Sequence, residues 1–270
     1  ARPVGHRQDA AARVRVALLD DDVAREAEER LVGIVNRNAA GEWLSSSWPD
    51  YRDFRDRART LDGVVAHRWQ LVFAGRANDT ERAFTEWVSG NFFDVLRVRP
   101  VLGRTFAADE QGERESAVVV LGERYWRRRF GGDAALVGQS IEVNRQAVRV
   151  IGVVPENFAG AVPGLGFDLW LPLNMHRAIA GRRVEDERGS RPLSLLARLK
   201  PGATVEQADA EIRVINDGLM REYPNTNTGI RAEVVPVGEH PDGAQRILRG
   251  PLQALAGLGL VILLLVCANV

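Results

Sequence analysis

Ser89-Gly90-Asn91-Phe92-Phe93-Asp94-Val95-Leu96, with Arg99-Pro100-Val101-Leu102-Gly103-Arg104 close behind it, sets one short helix beside an extended segment. Gly90-Asn91 opens the stretch with a turn, and Phe92 to Leu96 reads as the helix. The residue before Pro100 is driven out of the helical region, so Arg99 to Arg104 is extended. Upstream, Val64 to Phe73 and Arg82 to Val88 read as strands, joined by a turn at Ala74 to Asp79. In the second strand Ala83, Thr85 and Trp87 alternate with Phe84, Glu86 and Val88, which distinguishes two faces. Before them a helix starts at Ser47, a candidate N-cap, with Pro49 in its first turn and Asp50 and Asp53 at its positive end. Tyr51, Phe54, Ala58 and Leu61 recur at helical spacing, and Asp62-Gly63 is expected to end the helix.

Downstream, Val118 to Leu121 is an unbroken apolar run suited to a strand buried on both faces. Glu123 to Phe130 reads as a short aromatic and basic helix closed by Gly131-Gly132. Ser140 to Val143 and Val148 to Val154 form a hairpin through Asn144-Arg145-Gln146. Phe167 to Leu173 and Leu193 to Leu199 are further strands, and His176 to Arg191 reads as a loop or short helix. Thr204 and Gln207 make a capping box before an apolar stripe of Val205, Ala208, Ile212, Ile215 and Leu219. Ile230 to Val237 is the last strand, followed by a linker at Gly238 to Gly243. Strands and helices mix without regular alternation, so the fold class is α+β.

Acidic and basic residues balance at 36 each, so no net field draws nucleic acid or an anionic surface. Lysine occurs once, at Lys200, and the only cysteine is Cys267, so no disulfide forms within the chain. Residues 7–30 mix charges densely, with Asp20, Asp21 and Asp22 together, and read as a short exposed helix or frayed segment. From Ala254 the chain turns apolar. Leu255, Leu258, Leu260, Val261, Ile262, Leu263, Leu264, Leu265 and Val266 are read as membrane-spanning, because about 20 apolar residues cross a bilayer. The alternative is a buried C-terminal helix of a soluble protein.

Catalytic and metal signatures are missing. His6, His67, His176 and His240 are far apart and have no partner at ligand spacing. There is no nucleophile elbow, phosphate loop or zinc-protease motif. Gly160-Ala161-Val162-Pro163-Gly164-Leu165-Gly166 lacks the Lys-Ser or Lys-Thr of a phosphate loop and reads as a flexible loop. Asp168 beside Trp170 is either a functional carboxylate or a strand-end cap. Trp43, Trp48 and Trp69 either stack on a ligand or pack in the core. Arg52, Arg55, Arg57 and Arg59 either bind an anion or form a solvated helix face. No cofactor and no metal are expected.

Taken in order, several of these segments resemble one family. Ser47-Trp48-Pro49-Asp50-Tyr51-Arg52-Asp53-Phe54 is similar to the opening of the MacB-like periplasmic core domain, and Ser89 to Leu96 with Arg99 to Phe106 to its most recognisable stretch. Val118 to Leu121, Tyr125 to Gly132, Val150 to Pro155, Asp168 to Leu173, Ala197 to Thr204 and Leu264 to Val270 continue the resemblance. It implies an FtsX-like ABC transporter permease of the acidobacterial-type branch, in the bacterial cytoplasmic membrane, with its main domain extracytoplasmic. The implied fold is a porter-like subdomain with a second subdomain inserted, ending in a partial transmembrane helix. The implied organisation is an unmatched charged segment at 1–28, the core domain at 29–245 and the start of a membrane helix at 251–270. Residues 1–28 do not resemble the family's first span, so the chain reads as a fragment. The implied partners are a cytoplasmic ABC ATPase subunit, a second permease copy, a periplasmic adaptor and the lipid bilayer, with no nucleic acid. The domain would be no enzyme; it would couple ATPase-driven helix motion to export or mechanotransmission. The alternative is a regulatory module that activates a partner such as a cell-wall hydrolase. The hairpin at Asn144 lacks the family's following glycine, so Arg145 is expected to avoid positive φ through a longer loop.

Overall fold

The computed structural model describes residues 30–106, 117–162, 164–176, 187–241 and 253–257. The expected helix within residues 7–30, most of the loop from His176 to Arg191, and Leu258 to Cys267 lie outside the described residues. Eleven strands form one sheet: nine follow the path β11-β1-β10-β3-β4-β9-β6-β8-β5, while β2 pairs with β1 and β7 lies off the path. They are β1 (Leu31–Arg37), β2 (Trp43–Leu44), β3 (Leu61–Arg76), β4 (Asp79–Val88), β5 (Leu102–Gly103), β6 (Val118–Gly122), β7 (Ser140–Val143), β8 (Gln146–Val154), β9 (Leu169–Pro172), β10 (Ser194–Leu199) and β11 (Arg231–Pro236). β7 pairs with both β3 and β8. That closes β3-β4-β9-β6-β8-β7 into a barrel. β11-β1-β10-β3 remain an open, wholly antiparallel arm.

Two helices cover one face of the open arm. α1 (Trp48–Arg57) joins β1 to β3, and α4 (Val205–Glu222) joins β10 to β11. The arm thus has the order of a split β-α-β unit, interrupted between its second and third strands by the whole barrel. The fold is mixed α/β, with a barrel-like sheet, accessory strands and helices.

β3 belongs to both parts. Over its 16 residues it pairs first with β10, from Leu61 to His67, and then with β4, from His67 to Arg76. Its even positions Val64, Ala66, Val72 and Ala74 face one core, shared with Tyr51 and Phe54 of α1 and with Ala208, Ile212 and Leu219 of α4. Val65, an odd position, faces a second core with Phe92, Phe93 and Leu96 of α2 (Phe92–Leu96), and with Phe158, Phe167 and Trp170.

Ser47 caps α1, accepting the Asp50 N–H at 3.1 Å. The helix is shorter than its spacing predicts, because Ala58 is already extended. Glu211 of α4 accepts the N–H groups of Arg59 and Thr60 at 2.8 Å each and draws the chain off the helix axis. Leu61, Asp62 and Gly63 therefore start β3. α3 (Glu123–Phe130) has the expected limits and ends at Gly131, φ +68°. The capping box of Thr204 and Gln207 is present at the start of α4. β4 begins at Asp79, so strand replaces most of the expected Ala74–Asp79 turn.

Two expectations need further correction. The β7–β8 connection is a two-residue turn in which Asn144 (φ +48°) and Arg145 (φ +68°) are both left-handed. Arg145 is held there because Asn144 is pinned to β3. The Asn144 N–H donates to Phe73 O, and Asn144 Oδ1 accepts the Phe73 N–H, both at 2.8 Å. β1 was not anticipated, yet it lies between β10 and β11 in the open arm. Leu31-Val32-Gly33-Ile34-Val35 is buried throughout, so no alternation marks it as a strand.

Candidate functional site

His67 marks the junction of arm and barrel, since it pairs with Ser194 on one side and Val88 on the other. Its Nδ1 lies 3.0 Å from Oε1 of Glu86, which is fully buried. Glu86 Oε2 accepts the Trp170 indole N–H at 2.8 Å, and the Ala161 N–H reaches both carboxylate oxygens at 3.2 Å. These two donors hold Ala161 and Trp170 against the barrel. A carboxylate so enclosed fixes structure; it has no open face for a substrate. In the Gly160–Gly166 stretch, Gly160 and Ala161 thus lie against Glu86 of the same chain.

The Ser89-Gly90-Asn91 turn ties the same junction together. Ser89 Oγ accepts the Ala66 N–H at 3.1 Å and donates to Asn91 Oδ1 at 2.8 Å. Asn91 Nδ2 donates to Val64 O at 2.8 Å, and the Tyr51 hydroxyl donates to Asn91 Oδ1 at 3.3 Å. Burial pushes the Tyr51 phenol up, so it stays protonated and able to donate. At the end of α2, Arg198 of β10 donates from Nε to Val95 O at 2.6 Å. Burial, with Arg30 and Arg97 nearby, lowers its pKa to about 10.

A second cluster pins the chain where it returns from the barrel. Asp50 of α1 takes Arg188 on one oxygen and Arg191 on the other, each at 2.6 Å. Arg188 also reaches Asp53 at 2.7 Å and lies 3.7 Å above the Tyr223 ring. Asn227 of α5 (Pro224–Asn227) donates to Asp50 Oδ1 at 3.0 Å. Burial works against the Arg188 charge, but the bonds to Asp53 and Asp50 outweigh it and raise its pKa. Both covalent crossings between arm and barrel are thus locked by buried polar contacts.

The residues singled out from sequence do not converge. Asp168 is a strand-end cap: Oδ2 accepts the Phe84 N–H at 2.9 Å and Oδ1 lies 3.3 Å from Arg128. His176 packs edge-on to Trp87 with centroids 5.0 Å apart. His240 lies over Gly33. Among the described residues no three His, Cys, Asp or Glu side chains gather as a metal site. Trp43 lies under the Arg37 guanidinium at 3.4 Å, and Trp48 packs on Tyr51 at 5.0 Å. Trp69 is exposed. Arg55 and Arg57 pair with Asp56, Asp53 and Glu222, as on a solvated helix face. A cavity of about 110 Å³ beside Trp43 and His240 is well below the roughly 300 Å³ where small-molecule sites begin. Of the apolar run, residues 253–257 are described and helical, with Leu255 exposed. Among the described residues no helix is long and apolar enough to cross a membrane. The roles of Asp50, His67, Glu86, Arg188 and Arg191 were missed. The available signal was Glu86 itself, a carboxylate on the strand face it shares with Phe84 and Val88.

The profile of the MacB-like periplasmic core domain matches residues 16–215. A probable syringafactin export ATP-binding/permease protein, SyfD, of Pseudomonas syringae pathovar tomato is 30% identical over 129 residues. That match covers 47% of the chain and 18% of the relative. A probable export ATP-binding/permease protein, MacB, of Pseudomonas entomophila is 31% identical over 126 residues, 46% of the chain and 18% of the relative. The chain thus matches less than a fifth of the length of either relative. Among solved structures, the periplasmic region of MacB from Actinobacillus actinomycetemcomitans is similar at a TM-score of 0.58 and 16% identity, covering 79% of this chain and 91% of that one. The extracellular domain of the noncanonic ABC-type transporter YknZ from Gram-positive bacteria is similar at 0.55 and 15%, covering 75% and 98%. At these identities the structures speak for the fold.

Proposed function

The chain belongs to the MacB-like periplasmic core domain family, a family of non-catalytic transport and coupling domains, and on that premise we propose that it is the extracytoplasmic domain of an ABC transporter permease subunit. The observation that carries the proposal is the family match across residues 16–215. The strand order supports it: a porter-like arm with a second subdomain between β3 and β10. We place the core domain at 29–245 and the start of a membrane helix at 251–270. The work of the domain is mechanical. Movement of membrane helices, driven by a cytoplasmic ABC ATPase, enters at the start of β1 and the end of β11. These lie side by side, as the pairing of Val32 with Pro236 requires. The arm passes the movement to the barrel along β3, and the locked crossings keep the barrel from slipping. A second permease copy, an adaptor and the bilayer complete the assembly. The setting is the bacterial cytoplasmic membrane, in a permease of the acidobacterial-type branch.

The test is purification of the intact permease from its membrane, with spin labels on α4 and on the barrel. The expected result is a co-purifying ATPase and a label distance that changes with ATP. A cell-wall hydrolase in place of the ATPase would favour the regulatory reading. Neither partner, with no distance change, would end both.

A further inference from the structure

The second core is only partly covered. Its face of the β3–β4 hairpin continues past His67 and Glu86 through Trp69, Leu71 and Phe73, the next odd positions of β3. Phe84 lies directly across from Leu71. These side chains are 43%, 46%, 53% and 40% exposed, in that order. Up to Val65 and Val88 the same face is buried under α2 and the segment carrying Phe158 and Phe167. Four large apolar side chains in one contiguous stripe mark an interaction surface rather than scattered exposure. We propose that this stripe is the docking surface for a separate protein that presents apolar side chains bordered by carboxylates. The proposal deepens the partner-contact side of the permease reading and rests on it.

Position argues against lipid as the occupant. The chain enters at Leu31 and leaves at Pro236, on the level of Gly63, as the pairings of Leu31 with Arg198 and of Arg198 with Gly63 show. From Gly63 to Phe73, at about 3.3 Å per residue, the strand covers about 33 Å. The stripe is therefore carried well away from the end at which the chain would meet a membrane. Charge specifies the partner further. Arg82 stands across from Phe73 on the same face. Arg145, next to the Asn144 that clasps Phe73, projects from the neighbouring turn. Both are exposed, and neither makes an ion pair among the described residues. Of the nearby carboxylates, Glu142 across from Gly75 is half-buried, and Asp168, which accepts the Phe84 N–H, is half-buried and already paired with Arg128. A second copy docked through this same patch would bring two more exposed arginines to the rim and no exposed carboxylate to meet them. A partner with carboxylates at its rim satisfies both arginines.

The test uses the full 270-residue chain in detergent and two labelled helical peptides. One carries a Leu/Phe face bordered by Glu, the other the same face bordered by Lys. The expected result is that the Glu peptide binds about tenfold more tightly or better, and that Leu71→Ser or Phe84→Ser removes most of that binding. Arg82→Glu should reverse the peptide preference. Val214→Ser, at an exposed site on α4, should change nothing. Equal affinity for both peptides, or full binding by correctly folded Phe84→Ser, would overturn the proposal. So would Leu71-dependent binding to phosphatidylglycerol vesicles, or Leu71-dependent dimerisation in sedimentation. These readouts need no ATPase, so their failure is separate from failure of the permease reading.

Discussion

Gly160 packs so tightly on Glu86 that a Cβ at position 160 would fall 2.8 Å from the Glu86 Oε2 atom. The same Cβ would lie 2.3 Å from Cδ2 of Phe167, and Gly160 has φ +111°. Glycine is needed here both for its backbone and for the space it leaves. Gly160→Ala should destabilise the fold by about 2 kcal/mol or more. Urea denaturation measures it, and a loss below about 0.5 kcal/mol would show that the segment is not held by Glu86.

Asp50→Ala leaves Arg188 and Arg191 close together without their shared carboxylate. Breaking a buried ion pair by removing one partner costs about 3–5 kcal/mol. The loss should come with faster hydrogen exchange in residues 187–191, where the chain re-enters the arm. An exposed cluster of this kind would cost under about 1 kcal/mol, and that value would contradict the burial described above.

Arg145→Gly should stabilise the protein. A non-glycine residue in the left-handed region costs about 1–2 kcal/mol, partly offset by the greater entropy glycine loses on folding. The expected gain is about 0.5–1 kcal/mol, read as a higher denaturation midpoint with unchanged slope. An unchanged or lowered midpoint would mean that Arg145 makes a compensating contact.

Glu211 makes stability depend on acid. Its partial burial works to raise its pKa, but the Thr60 hydroxyl and the N–H groups of Thr60 and Arg59 outweigh this and lower it. A carboxyl depressed in the folded state stabilises the fold above its unfolded pKa, about 4.3. That stabilisation is lost as pH falls below this value through the folded pKa. Glu211→Gln should cost about 1 kcal/mol near neutral pH and flatten the stability profile in that acid window. Parallel profiles for the two proteins would refute the assignment.

Gly33→Ala tests the path from linker to sheet. A Cβ at Gly33 would lie 2.3 Å from His240 Cδ2, a side-chain atom that can swing aside. The fold should survive, with stability changed by less than about 1 kcal/mol, while the His240 imidazole resonances shift. The proposed coupling role adds the expectation that transport by the intact permease falls while ATP hydrolysis persists. Unshifted His240 resonances would show that this contact does not hold the linker.

Much of the architecture follows from local chemistry. Ser47, Gly131 and the Thr204–Gln207 box act within one helix turn, so α1, α3 and α4 have legible ends wherever nothing distant intervenes. Where something does, the local reading fails: Glu211, 151 residues beyond Thr60, ends α1 early. Asn144 holds Arg145 in an unfavoured conformation because Phe73 is its partner, and no local rule contains that contact. β1 stayed hidden because both of its faces are buried, which removes alternation, and Gly33 breaks the unbroken apolar run that made β6 legible.

The segment order and its resemblance to the MacB-like core domain were determined by the sequence alone, because caps, turns and apolar periodicity act over a few residues. The closed barrel, the Glu86 and Asp50 clusters and the uncovered stripe at Trp69, Leu71, Phe73 and Phe84 were decided by the tertiary structure. Each depends on which strands become neighbours. A strand shows its period in sequence, but only its neighbours determine whether a face is buried, paired or left open.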